Sequence, residues 1–130
     1  MAKYDMHLKC TPTPANLQAA AELAPDLVAE LSAALGEAQL PLYELTQRSD
    51  PPTPAELVDA IATLRAEADR IRRLEYKVLG VAVLGGAAVT TTARAIGVRP
   101  TTLSDNLAGT RAQGRGKPMT RLDNGVWINA

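Results

Sequence analysis

Phenylalanine is missing from this chain, and aromatic residues make up only 3% of it. A core built almost without rings has to be assembled from Leu, Ala, Val and Ile, a set that suits packed helices better than a sandwich of sheets. Of the 130 residues 46% are hydrophobic, enough for one moderate domain or two very small ones. The expectation is therefore a mainly α fold. The one cysteine, Cys10, excludes an internal disulfide and fits a reducing compartment. Residues 1–10 lack an apolar leader. The longest apolar run, Val78 to Val89, spans about a dozen residues interrupted by Gly80, Gly85 and Gly86. A bilayer span needs roughly 20, so a cytoplasmic protein without a membrane segment is expected.

The net charge of zero conceals a strong asymmetry. Residues 1–69 hold four Lys or Arg against eleven Asp or Glu, a net charge of −7, whereas residues 70–130 hold ten against three, a net charge of +7. Such a split points to an anionic partner for the basic half, nucleic acid foremost. The plainer explanation is an uneven set of solvated helix faces.

Residues 1–13 read as an extended lead, because Pro12 and Pro14 disfavour helix before them. From Ala15 to Leu35 the composition is helical. Pro25-Asp26 is expected to divide this stretch into two helices, the second presenting Leu27, Val28, Leu31 and Leu35 on one face and stopping at Gly36. Residues 36–53 look irregular, and RSDPPTP (48–54) is a strong breaker. A helix then opens at TPAE (53–56), with Thr53 as cap, Pro54 in the first position and Glu56 completing a capping box. Leu57, Ile61, Leu64, Ala68 and Ile71 step by fours and threes, a seam for packing on another helix. The seam is too short for a coiled coil, so an intrachain partner is expected ahead of a dimer contact. The apolar pattern continues through Leu74, Val78, Val81 and Leu84 towards a stop near Gly85 or Gly86.

Beyond Gly109 the chain turns basic and Gly-rich, GTRAQGRGKP (109–118). Asn124-Gly125 between β-prone runs predicts a hairpin with a type I′ turn, pairing Met119–Leu122 with Val126–Ile128 and anchored by Trp127. The organisation read from these signals has two parts. Residues 1–52 form a helical N-terminal module with its lead, and residues 53–130 carry a long helix, a two-helix corner over about 74–108 and a basic arm or wing.

The corner itself lies in RAIGVRPTTLSDNL (94–107), where a short helix ends at Gly97 and another restarts at Pro100. Ala93 is small enough for two helices to approach. Gly97 suits a left-handed turn, and Ile96, Val98 and Leu103 supply apolar contacts. Thr90 or Thr91 can cap the first helix, and Pro100 opens the second. Thr90–Leu107 thus resembles the helix-turn-helix of bacterial and phage repressors, or its winged form given the hairpin that follows. Two positions depart from that pattern: Asn106 stands where an aliphatic residue is usual, and Arg99 where a Ser or Thr cap is usual.

The resemblance implies sequence-specific binding of double-stranded DNA by a homodimeric transcriptional regulator, nucleoid-associated and without a cofactor. Helix 100–108 would enter the major groove, with Thr101, Thr102 and Asp105 at base edges and Arg99 on phosphate or guanine. Thr90, Thr91 and Ser104 would donate to phosphates. Arg94, Arg111, Arg115, Lys117 and Arg121 would hold the backbone or the minor groove, GRGKP being similar to an Arg-Gly minor-groove arm.

Other chemistries find little support. His7 is the only histidine, and Cys10 has no second cysteine or nearby histidine to make a metal site or a nucleophile pair. No phosphate-binding Gly-Lys-Ser/Thr loop is present, and LGG (84–86) reads as a helix end. No enzyme and no metal are expected. The alternatives are an interaction or oligomerisation adaptor whose corner is purely structural, and a phage or plasmid accessory factor for DNA segregation or recombination.

Overall fold

The computed structural model describes residues 11–130, so His7, Cys10 and most of the expected extended lead lie outside the described residues. The described chain is mainly helical and ends in a short antiparallel hairpin, as expected. Helix α1 spans Pro14–Thr46, α2 Pro54–Ala66, α3 Ala68–Leu84, α4 Val89–Ile96 and α5 Pro100–Leu107. A 3-10 turn at Arg111–Gly114 leads into β1 (Met119–Arg121) and β2 (Trp127–Asn129). Among the described residues, no helix is long and apolar enough to cross a membrane.

Local signals account for several boundaries. Thr53 caps α2 with its side chain on the Glu56 N–H, and the Thr53 N–H returns a hydrogen bond to Glu56 Oε1 at 2.9 Å, so the capping box read from TPAE is present. Helix α3 stops at Leu84, just before the glycine pair. Two expectations fail on α1, which runs unbroken through Pro25, Gly36 and Pro41 to Thr46. A proline inside a helix leaves the carbonyl four residues earlier without its N–H. Here those carbonyls belong to Ala21 and Glu37, both on exposed residues, where water can serve them. Ala19 and Ala20 before Pro25, and Ala34 and Ala38 between the two prolines, are buried and hold the helix by packing.

The chain forms two compact units, one the described part of Met1–Leu27 with Tyr76–Ala130, the other Val28–Glu75. The second is thus set between the two segments of the first, and the expected division at residues 52 and 53 falls inside it. In the second unit α1 and α2 run antiparallel, with Arg48 close to Glu56 near the connection and Arg70 Nη1 2.9 Å from Glu37 Oε2 farther along. The packing residues are small: Ala34, Ala38 and Ala60 are buried. The seam expected to be covered within the chain is not, for Leu57, Ile61 and Leu64 are 48%, 46% and 38% exposed. It is also interrupted, because α2 ends at Ala66 and α3 begins at Ala68.

The Arg48 guanidinium and the Thr53 backbone N–H hold the Glu56 carboxyl down to about 2, from an ordinary 4.5. A carboxylate with a lowered folded-state pKa stabilises the fold above its unfolded value and loses that contribution as pH falls through the folded one. The α2 start is therefore expected to loosen between pH 4.5 and about 2. Chemical-shift titration of the Thr53 and Glu56 amides should show it, and Glu56→Gln should abolish the transition.

The first unit has two apolar clusters. One joins Ala19 and Ala20 of α1 to Val81 and Leu84 of α3 and to Met119 and Trp127 of the hairpin. The other gathers Val83, Val89, Ala93, Leu103, Leu107 and Ala112. The hairpin is present in the expected place, with Met119 opposite Asn129 and Arg121 opposite Trp127, and Trp127 is 4% exposed. Its turn differs from the expected type. A type I′ turn needs positive φ at both central residues, whereas Gly125 has φ +85° and, among the described residues, no non-glycine residue has positive φ. Gly125 N–H bonds Leu122 O at 2.9 Å, and Leu122 N–H bonds Val126 O at 2.8 Å. This is a three-residue loop with glycine in the left-handed position.

Candidate nucleic-acid interface

The corner between α4 and α5 is built by backbone geometry first. Gly97 ends α4 in the left-handed region, at φ +75° and ψ +30°. Its N–H turns back to the carbonyls of Ala93 and Arg94, and the Val98 N–H bonds Ala93 O at 3.0 Å. An L-residue in that conformation costs roughly 1–2 kcal/mol, which is the physical reason for a glycine. Pro100 takes the first helical position of α5 after Arg99, which sits at the N-cap with extended backbone and no side-chain capping bond.

Packing then sets the angle between the helices. Ala93, Leu103 and Leu107 are fully buried against one another and against Val83 and Val89. Ile96, expected among these contacts, is 42% exposed, and Val98 is half-buried. Leu107 takes the inward place that Asn106 does not. Asn106 is exposed and donates from Nδ2 to Thr102 O at 2.9 Å.

The sequence-derived residues separate into three groups. Arg99, Thr101, Thr102 and Asp105 are exposed at the start and outer side of α5, opposite the buried Leu103 and Leu107. Thr90, Thr91 and Arg94 are exposed on α4. Neither threonine caps that helix, because the N-cap is Ala88 and makes no side-chain bond. Ser104 is fully buried, which takes its hydroxyl away from the surface contact with phosphate expected of it.

The basic residues after Gly109 are folded back, not extended. Arg111 donates from Nη1 to Trp127 O at 2.7 Å, and Arg115 from Nη1 to Ala87 O at 2.8 Å. The first guanidinium braces the hairpin and the second braces the loop before α4. Arg121 is half-exposed and lies 3.4 Å from Glu22 Oε1. Lys117 is exposed. The stretch is thus a 3-10 turn leading into the short hairpin.

Asn16 and Glu22 escaped the reading of the sequence. Asn16 is fully buried, donating from Nδ2 to Gly114 O at 3.0 Å and to Lys117 O at 3.3 Å, and accepting at Oδ1 from Gly116 N–H at 2.8 Å. Glu22 Oε1 accepts from Trp127 Nε1 at 3.3 Å. Both tie α1 to the basic turn and the hairpin. The available signal was a Thr13-x-x-Asn16 cap on an otherwise alanine-rich helix face.

Among the described residues, no group of three or more His, Cys, Asp or Glu is placed to hold a metal ion. No family model, no curated protein and no solved structure matches this chain.

Proposed function

We propose that this chain binds double-stranded DNA sequence-specifically, as a homodimeric transcriptional regulator of helix-turn-helix type. The observation that carries the reading is the α4–α5 corner. A left-handed Gly97 and a buried Ala93–Leu103–Leu107 contact present an α5 whose outward residues are short, polar and preceded by an arginine. Thr101 and Thr102 can meet base edges or the thymine methyl, and Asp105 can accept from a cytosine amino group. Arg99 at the tip of α5 can take guanine or phosphate with its planar fork. Arg94 and Lys117 supply exposed positive charge, and the antiparallel hairpin after α5 supports a winged reading in which it would add backbone contacts. Segregation or recombination factors would use the same surface.

The test is selection of bound duplexes from a random pool with the whole chain, followed by anisotropy titrations on the selected sequence. The logarithm of the binding constant should fall linearly with the logarithm of salt concentration. Arg99→Ala is expected to weaken the selected duplex by about 5- to 150-fold and to relax its sequence, since one good base contact contributes about 1–3 kcal/mol. Lys117→Ala should weaken all duplexes evenly and lower the salt slope by about one. Absence of duplex binding at low salt overturns the proposal.

A further inference from the structure

The helical pair in residues 28–75 leaves one side uncovered. Successive residues turn by about 100° in a helix of 3.6 residues per turn. The side of α1 turned to α2 is marked by Ala34, Ala38 and Pro41, and the side of α2 turned to α1 by Glu56, Ala60 and Thr63. In both helices a set of large apolar residues stands about a quarter turn further round, while Leu40, Tyr43 and Val58 are exposed on other sides. Because α1 and α2 run antiparallel, the same sense of rotation brings both stripes to the same side of the pair. Val28 and Leu35 on α1 are 54% and 47% exposed there, alongside Leu57, Ile61 and Leu64 of α2.

Charge marks the same side. Residues 28–75 carry nine Asp or Glu against five Lys or Arg, yet between Val28 and Thr46 the only charged residues are Glu30, Glu37 and Glu44. These are spaced seven apart and therefore share one stripe, the stripe from which Glu37 reaches Arg70, away from Val28 and Leu35. On α2, Glu56 is held by Arg48, away from the leucines. The apolar side thus carries no acid, and its nearest charge is the exposed Arg65 at the edge, one turn after Ile61. A copy of the same unit, acidic overall, can meet it without bringing carboxylates together.

Size agrees. Two helix widths of about 10 Å each, over a length of about 20–28 Å, present a projected face of roughly 500 Å². The accessible area of a ridged helical face is larger, which brings it near the roughly 800 Å² per partner of a stable protein interface.

We infer that this face is the homodimer interface, two antiparallel helix pairs closing into a four-helix bundle around Leu57, Ile61 and Leu64. The contact is isologous, so each copy provides the same residues, and the bundle core supplies the large side chains that Ala34, Ala38 and Ala60 cannot. It gives the proposed DNA reader its second copy, but it is measured without DNA, so either idea can fail alone.

The experiment is sedimentation velocity on the whole chain at micromolar concentration, which should give twice the mass of the 13.7 kDa chain. Ile61→Glu and Leu35→Gln should raise the dimer dissociation constant by about 100-fold or more, with helix content by circular dichroism retained. Val58→Glu, on α2 but off the shared side and 67% exposed, should leave the mass unchanged. A monomeric wild type, including one that binds only a different protein, overturns the inference. So does a dimer that survives both substitutions.

Discussion

Asn16→Ala is expected to lower the free energy of unfolding by about 2–4 kcal/mol, because each buried polar group left without a partner costs about 1–3 kcal/mol. The side chain serves groups from two distant parts of the chain. Its amide donates to the Gly114 and Lys117 carbonyls, and its oxygen accepts from the Gly116 N–H and from the Thr13 N–H at 3.0 Å. Alanine would abandon all of them at a fully buried site. Asn16→Asp keeps the acceptor but removes both donations and buries a charge, so it should be no better than alanine. Urea unfolding followed by fluorescence of the single tryptophan, Trp127, is a direct measurement, since its ring lies in the cluster that Asn16 borders. The midpoint should fall with an unchanged slope. A loss under about 0.5 kcal/mol would show that water serves these groups equally well.

Leu103→Ala should cost about 2–5 kcal/mol, the range for removing a leucine from a packed core. Leu103 is fully buried among Val83, Val89, Ala93, Leu107 and Ala112, contributed by three helices and the 3-10 turn. The cavity would lie between α4 and α5, so the same substitution should also weaken the proposed DNA binding, through loss of the angle at which α5 is presented. Thr102→Ala, one residue away but exposed, should stay within about 0.5 kcal/mol in stability. Thermal unfolding and duplex titration of the two variants separate support of α5 from the proposed contact with DNA. Similar stability in both variants would mean that α5 is not held through Leu103.

Where the forces are local, the sequence was readable. The Thr53–Glu56 capping box closes over three residues, and Gly97 with Pro100 bends the chain within four, so the residue types alone announce the geometry. The hairpin was also legible, but not its turn. Asn-Gly is compatible with more than one loop, and pairing of Leu122 with Val126 selects a three-residue loop over a two-residue one. Ile96 and Ser104 show the same limit at the candidate site. Helical composition places the isoleucine inside and the serine outside, whereas the packing of α4 on α5 leaves Ile96 exposed and buries Ser104.

The sequence by itself determined the helical class, the corner at residues 97–100, the hairpin and the separation of acidic from basic halves. These depend on backbone preferences and on residues close along the chain. The tertiary structure alone decided that α1 continues through two prolines, because packing of its buried alanines outweighs a missing hydrogen bond. It alone decided that Arg111 and Arg115 brace the fold, and that Asn16 meets partners 98 and 101 residues away. It also left Leu57, Ile61 and Leu64 uncovered, since whether an apolar stripe finds a neighbour depends on where distant helices lie, and its period does not record that.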